Sequence, residues 1–374
     1  MQGKMKPQIC SKPDKEQIDL FLEPIEFMMK AGQYDAAYRL LKILRQWQGR
    51  QWIEEHLNSL YRKWIPRWHF EMLNDVSRGK AFGDALHALD LRDKTVLDIG
   101  AGSGILSMLA VRLGARHVYA CEMIEPLAEI AAEIVQLNGM AHKITLIPKN
   151  SFDVEIGKDM PGRAEIMLSE TIDCGFVGEG FLPSLKHAKK YLLQHDAPLV
   201  PCGVQLCGVL IDSPDIYHLN HVYRSQGFDV SKMNEFSTRG YFGVRLKTRP
   251  HSMISDVTTL IDLDLYGPIP ESFTRVVEFE ATESGTLHGV AFWFKVTLAP
   301  GVVLSNDPDQ SGCHWTQAFV SFRQPLTVQK GERYPVELSF NEQVVSLAPL
   351  EKPRHYYAAA VSGTDSVERI LHVV

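Results

Sequence analysis

The sequence has no C-x-x-C pair; its six cysteines stand apart at positions 10, 121, 174, 202, 207 and 313. That scatter argues against a zinc site and a disulfide framework, and it points to a reducing compartment. Long hydrophobic runs are missing too. The most apolar stretch, Leu199 to Ile211, is shorter than a membrane span and is interrupted by Pro and Gly, so no membrane role is expected. The opening MQGKMKPQICSKPDKEQ is charged and lacks the apolar centre of a secretory signal. A cytoplasmic location is expected, or a nuclear one in a eukaryote. Positive charge is not in excess: 39 Lys plus Arg face 45 Asp plus Glu, a net charge of -6, which sets aside direct nucleic-acid binding through an overall basic surface. Compositional bias is absent as well, since 27 Gly and 20 Pro with 45% hydrophobic residues exclude a collagen-like or globally disordered chain.

What remains is a globular chain of 374 residues, long enough for more than one core. The first fifteen residues are polar and Pro-containing, the composition of a frayed tail. Apolar residues at helical spacing follow, Ile18, Phe21, Leu22 and Ile25, then Tyr38, Leu41 and Leu44, which predict a helical hairpin broken at Ala31-Gly32-Gln33. The stretch AGQYDAAYRLL resembles part of a tetratricopeptide helix pair, but no second copy follows at the expected period. Residues 1–64 are therefore expected to be a helical appendage on the domain that follows.

From Thr95 short β-branched runs alternate with helical segments: TVLDIG, SGILSMLAVRLGA, HVYACE, PLAEIAAEIVQLNG, KITLIP and AEIMLSE. Such alternation predicts an α/β region with a parallel sheet, placed at 65–200. After Pro198 and Pro201 the alternation stops, and VQLCGVLI, VVEFEAT, GVAFWFKVTL, QAFVSF, YPVELSF and EQVVSLA predict a mostly antiparallel β-barrel domain over 201–374. Its polar, turn-rich interval at about 212–256 reads as an insertion.

Asp98-Ile99-Gly100-Ala101-Gly102-Ser103-Gly104 is a strand running into a glycine turn that opens a helix, an arrangement that points backbone N–H groups at a ligand. Glu122 follows 20 residues after Gly102, where a carboxylate can take the hydroxyls of a ribose. The G-x-G-x-G spacing, with Asp98 before it, resembles the class I S-adenosylmethionine (SAM) methyltransferases. A dehydrogenase would more typically show G-x-G-x-x-G. Further on, Ser169-Glu170-Thr171-Ile172-Asp173-Cys174-Gly175-Phe176-Val177-Gly178-Glu179-Gly180 carries two glutamates around glycines. Arginine is permanently protonated and planar, so a site that makes it a nucleophile must hold its fork bidentately, and two convergent carboxylates do so.

With His69-Phe70-Glu71-Met72-Leu73-Asn74-Asp75-Val76-Ser77-Arg78 upstream and Cys313-His314-Trp315 downstream, these motifs resemble the protein arginine methyltransferases across about residues 65 to 350. The resemblance implies that Arg78 takes the methionine carboxylate of SAM. It gives Asp98, Gly100 and Gly102 the amino-acid end and the turn, Glu122 the ribose and Ser151 the adenine segment. Glu170 and Glu179 would clamp the substrate guanidinium. His314 would face Asp75 as a His-Asp pair, His69 and Met72 would border the cofactor pocket, and Trp315 would wall the substrate side. The Gly178-Glu179-Gly180 loop is similar to the branch that forms monomethyl or symmetric dimethyl arginine, often as two tandem modules, whereas one glycine turn and one glutamate pair occur here. The implied activity is metal-free, in-line methyl transfer to an arginine-containing protein or peptide, by a homodimer joined through the 212–256 insertion. A small guanidine or amine acceptor, and a non-catalytic SAM-binding scaffold, are the alternatives. The family also carries a cis proline where Val200-Pro201 stands.

Overall fold

The structure is a computed structural model that describes residues 15–46, 51–310 and 312–350. The expected frayed tail lies outside the described residues, apart from Lys15.

Three helices open the described chain: α1 (Lys15–Lys30), α2 (Tyr34–Arg45) and α3 (Gln51–Trp64). Ile25, Tyr38, Leu41, Leu44, Ile53, Leu57 and Leu60 close into a core separate from the main one. The hairpin expected from the sequence is thus a three-helix unit, and the spacing of Ile53, Leu57 and Leu60 carries the signal for the third helix. Two further helices, α4 (Trp68–Asn74) and α5 (Val76–His87), lead into the sheet.

The α/β region runs β1 (Thr95–Ile99), α6 (Ile105–Arg112), β2 (His117–Cys121), α7 (Glu125–Leu137), β3 (Ile144–Ile147), a 3-10 turn at Ser151–Asp153, β4 (Ile166–Ser169), α8 (Phe181–Tyr191) and β5 (Leu199–Val200). The five strands lie parallel in the order β3-β2-β1-β4-β5. Chain order reverses between β1 and β4, which opens a crevice beyond their carboxyl ends. Ile99 and Ser169 are in register, so Gly100 and Glu170 leave the sheet side by side.

The Val200–Pro201 peptide is cis, as the resemblance implied. Beyond it come β6 (Gly203–Asp212), α9 (Pro214–Tyr217), β7 (Arg224–Ser225), β8 (Phe228–Asp229), β9 (Tyr241–Val244), β10 (Ser252–Met253), β11 (Thr258–Asp264), β12 (Ser272–Glu280), β13 (Gly285–Ala299), β14 (Val302–Ser305), β15 (Gln317–Val328), β16 (Arg333–Asn341) and β17 (Val344–Pro349). They form a seven-stranded sheet along β10-β6-β13-β15-β9, with β11 and β14 attached, and a three-stranded sheet β12-β16-β17. Among the described residues the pairing does not close into the barrel expected from the sequence. The long β13 turns Val290, Phe292 and Phe294 into the main core, while Ala291 and Trp293 enter a smaller one beneath α9. Burial on both faces explains why this strand reads as an unbroken apolar run. The main core extends from Val96 and Leu97 of β1 to Phe292 and Trp315, so the parallel and antiparallel regions share it.

The expected insertion is only partly outside the sheet. β9 pairs with β15 and β10 pairs with β6, because both segments satisfy their backbone groups on sheet edges. The stretch between α9 and β9 projects a short β7–β8 hairpin and a 3-10 turn at Ser231–Phe236, with Phe228 and Phe236 73% and 82% exposed.

Candidate active site

The glycine turn is built locally. Gly100 N–H and Ala101 N–H donate to Cys121 O at 2.9 and 2.9 Å, and Gly102 N–H donates to Glu122 Oε2 at 2.9 Å. Glu122 also accepts Ile124 N–H through Oε1 at 2.9 Å, which fixes its carboxylate at the entry to α7. Gly100 has φ +75, and a Cβ there would stand 2.2 Å from Thr171 Cγ2, so this position needs glycine on both counts. A Cβ on Gly102 would meet open space, which leaves room for a ligand above the turn.

Two polar atoms at this end are buried without a partner: Asp98 Oδ1 and Arg78 Nε. Buried polar atoms are normally satisfied, so an unpaired acceptor and an unpaired donor fit a ligand carrying an ammonium and a carboxylate. Asp98 Oδ2 accepts from Ser107 Oγ at 2.6 Å, and burial pushes the Asp98 carboxyl up to about 6. Burial likewise raises Glu122, against the pull of its backbone donors. Ser151 is buried in its 3-10 turn, with Phe152 exposed beside it. His69 Nδ1–H donates to Pro66 O at 2.8 Å and its ring stacks on Trp68 at 3.9 Å, so it borders the site rather than pointing deep into it. Met72 is the buried residue of α4.

The acceptor end is assembled from distant parts. Asp75 caps α5, taking Arg78 N–H and Ser77 Oγ–H on Oδ1, each at 2.8 Å. Its Oδ2 accepts the backbone N–H of His314 at 2.9 Å and His314 Nδ1–H at 3.0 Å. Burial lowers the His314 pKa, so the ring is a neutral donor that ties the antiparallel region to the start of α5. Arg245 reinforces that loop by donating to Cys313 O at 3.0 Å and His314 O at 2.9 Å. Trp315 is buried; its Nε1–H donates to Ile172 O at 3.0 Å and its ring lies edge-on to Phe294. It therefore holds the glutamate loop from behind, the packing role, and does not stand open as a substrate contact.

Arg78 Nη2 donates to Glu170 Oε2, with both side chains almost fully buried. The two residues assigned to different ligands are thus neighbours, and one guanidinium already sits on Glu170. Burial raises the Glu170 pKa and Arg78 opposes it. Crowding by protein, then the like charges of Glu170 and Asp173, pushes Glu179 up to about 7. Its side chain is still open to solvent, the more accessible of the two carboxylates. Cys174 and Cys313 lie in the site's loops, but burial pushes their thiols up to about 12 and about 11, which keeps them protonated and unreactive. The structure places Asp173, Tyr241 and Asn306 among the supports of the glutamate loop and Arg245 under the Cys313–His314 loop, none of which stands out locally in the sequence.

A switch-point crevice with a glycine turn, a ribose-type carboxylate and an acidic loop facing a β region defines a two-part transferase of the nucleotide-cofactor kind. Comparison with known proteins gives the family. Residues 211–357 match the arginine methyltransferase oligomerization subdomain, and residues 84–160 match the ribosomal protein L11 methyltransferase family. The chain is 41% identical to an arginine N(omega)-methyltransferase of Streptomyces achromogenes subsp. streptozoticus, over 76% of this chain and 79% of that one. It is 30% identical to mouse protein arginine N-methyltransferase 9 over 77% of this chain, but it spans only 39% of that protein's length. A solved Trypanosoma brucei PRMT1 enzyme-prozyme complex with AdoHcy superposes with a TM-score of 0.64 at 26% identity, over 72% of this chain and 86% of that one. The chain belongs to the arginine methyltransferase family.

Proposed function

We propose that the chain transfers a methyl group from SAM to a guanidino nitrogen of arginine in a protein or peptide, giving monomethyl or symmetric dimethyl arginine. The observation that carries this reading is the buried pairing of Glu170 with a guanidinium, here that of Arg78, beside the more exposed Glu179. Bound SAM would supply a methyl on a positively charged sulfonium, already activated for displacement. The residues present fit it: Asp98 Oδ1 and Arg78 Nε would take its ammonium and carboxylate, and Glu122 its ribose.

The chain's own work is then placement and charge. Asp98, Glu122, Glu170 and Glu179 outweigh Arg78, a balance suited to a cationic cofactor and a cationic acceptor held together. Glu170 and Glu179 accept N–H bonds from the acceptor guanidinium, draw positive charge toward the nitrogens they touch and orient the remaining one toward the methyl. Glu179, the more open carboxylate with the raised pKa, is the group placed to receive the proton released on transfer. His314, tied to Asp75 through Nδ1, holds the Cys313–Trp315 loop against the start of α5.

We assign the protein to a homodimer in the cytoplasm. Support for the dimer comes from the matched oligomerization subdomain and from the exposed Phe228, Met233 and Phe236 between α9 and β9. A second acceptor, arginine itself, is favoured by one observation: the 41%-identical relative is named for arginine without mention of protein. The small Gly175 and Gly178, which resemble the branch forming monomethyl or symmetric product, have a packing reason of their own, since added Cβ atoms would collide with Tyr241 and Asp173.

The test is mass spectrometry of products from arginine peptides and from free arginine with labelled SAM, run with the wild type, Glu170→Gln and Glu179→Gln. Loss of a desolvated charge-assisted pair costs on the order of 2 to 5 kcal/mol, about tenfold in rate for each 1.4 kcal/mol. Both variants are expected to lose turnover; Glu179→Gln is expected to keep the SAM-induced rise in melting temperature, whereas Glu170→Gln also strips the buried Arg78 of its partner and is expected to alter that rise. Dominant asymmetric dimethylarginine would overturn the product assignment, and a glutamate variant at wild-type rate would overturn the clamp.

A further inference from the structure

The loop between the two glutamates holds a third carboxylate, Asp173, that the proposed mechanism leaves without a task. Its Oδ1 accepts Gly175 N–H at 3.2 Å and Gly178 N–H at 2.9 Å, and its Oδ2 accepts the Tyr241 hydroxyl at 2.8 Å. Gly178 directly precedes Glu179, so this bond fixes the peptide that launches the Glu179 side chain. Tyr241 opens β9, paired in register with Val320 of β15, and its ring meets Phe292 of β13 edge-on at 5.3 Å. The far end of the contact is therefore the antiparallel sheet, not the loop.

The surrounding residues leave this arrangement no slack. A Cβ on Gly175 would come 2.5 Å from Tyr241 Cζ, and one on Gly178 would come 2.5 Å from Asp173 Oδ2. On the other side of the loop, Asn306 Nδ2–H donates to Cys174 O at 3.1 Å, with Asn306 itself fully buried. The spacing Asp173, Gly175, Gly178 is thus a matched set, in which the carboxylate binds the peptides and the glycines admit the Tyr241 ring.

We propose that Asp173 is a positioning residue for Glu179 and that Tyr241 anchors it, so that one arm of the acceptor clamp is set by a latch to the second domain. The inference rests on the reading of Glu179 as an acceptor-binding residue. It has an electrostatic consequence. Burial is the first cause of the raised Glu179; the titratable groups beside it are Glu170, Asp173, Cys174 and Tyr241, and since burial keeps the thiol and the phenol protonated, Glu170 and Asp173 supply the negative charge that adds to it. A carboxylate that must be ionised to bind a guanidinium, with its pKa raised, makes activity fall as pH drops through about 7. Removing the Asp173 charge moves that limb to lower pH.

Tyr241→Phe and Asp173→Asn separate the two actions, because Asn keeps an acceptor for the glycine N–H groups while losing the charge. Tyr241→Phe is expected to lower kcat at least tenfold at saturating SAM, with an unchanged SAM-induced melting shift. Asp173→Asn is expected to displace the acid limb of kcat/KM for the acceptor toward lower pH. Wild-type kcat in Tyr241→Phe together with a wild-type pH profile in Asp173→Asn would overturn the latch. So would a loss confined to the melting shift, which would make the contact a prop for the fold alone. Glu179→Gln in the same assay keeps the two readings apart: if it retains turnover the clamp itself fails, and if it alone is inactive only the latch does.

Discussion

The Gly100–Gly104 turn and the Glu170–Glu179 loop leave neighbouring strands of one sheet, yet they are held in opposite ways. The hydrogen bonds that fix the turn come from the end of the next strand and from the helix the turn opens: Cys121 O, Glu122 and Ser107. The loop is held by Arg78, Tyr241, Asn306 and Trp315, which lie 68 to 143 residues from the partners they bind. The difference teaches where each ligand's affinity resides. The cofactor end belongs to the α/β region and its local connections, whereas the acceptor end exists only while the antiparallel region is docked. Substitutions at the two ends should therefore separate cofactor binding from turnover, except where the two ends touch.

The Arg78–Glu170 pair is one such place and Gly100 is another, and replacement of Gly100 should have the largest effect. In Gly100→Ala the new Cβ would face Thr171 Cγ2 at 2.2 Å with φ at +75, combining a left-handed backbone cost of about 1–2 kcal/mol with overpacking of about 1–3 kcal/mol. The expected outcome is loss of both the SAM-induced melting shift and turnover, with stability down by at least the larger of the two costs. Urea unfolding and thermal shift with and without SAM check this. A variant that binds SAM normally but is inactive would show that the turn yields independently and that the loop alone is displaced.

A smaller effect is expected at Asp75, which joins the two regions without contacting either proposed ligand. Asp75→Ala removes a helix cap worth about 0.5–2 kcal/mol and leaves buried His314 donors unpaired at about 1–3 kcal/mol, since its two oxygens serve Arg78 N, Ser77, His314 N and His314 Nδ1. Turnover should fall more than SAM affinity, because the shift reaches the glutamate loop through Trp315. Separate measurements of kcat and of SAM dissociation decide it. Equal losses in both would place Asp75 in the cofactor end instead.

The same contrast governs what is readable in the sequence. A strand, a glycine turn and an acidic residue at the next strand end form a signal confined to about thirty residues, so Asp98, Gly100 and Glu122 stand out. The β segments around Val290 and Phe319 are legible from their apolar runs, but closure of a sheet is a property of pairings between distant strands, and the expected barrel is not found among the described residues. β11, TTLIDLD, and the four-residue β14, VVLS, are too short or too mixed to stand out; β11 pairs along the edge of β6 and β14 along β13. The third helix of the appendage is written in Ile53, Leu57 and Leu60, outside the two apolar stripes from which the hairpin is read. Asp173 and Tyr241 have no local signature at all, because a carboxylate and a phenol 68 residues apart meet only after two regions have docked.

The N-terminal helices offer a third kind of contact and the smallest expected effect. They rest on α7 through Tyr38, whose hydroxyl donates to Glu129 at 2.6 Å, and through Arg39 and Lys42, which reach Glu125 at 3.0 and 3.3 Å. Lys42 also pairs with Glu129, but the two side chains are 42% and 38% exposed, so water and salt screen the attraction. After that discount Lys42→Ala should cost less than about 1 kcal/mol, with the loss shrinking as salt is raised. Tyr38 is buried, and Tyr38→Phe should cost about 1 kcal/mol with little dependence on salt. Glu125 stands three residues beyond Glu122, yet Glu122 is fixed by Gly102 and Ile124 and owes nothing to the appendage. Neither variant should change the SAM-induced melting shift. Urea unfolding at two salt concentrations, paired with that shift, measures both points. A Lys42→Ala variant that lost its response to SAM would make the appendage a working part of the cofactor end and dissolve the division between local and docked contacts on which these expectations stand.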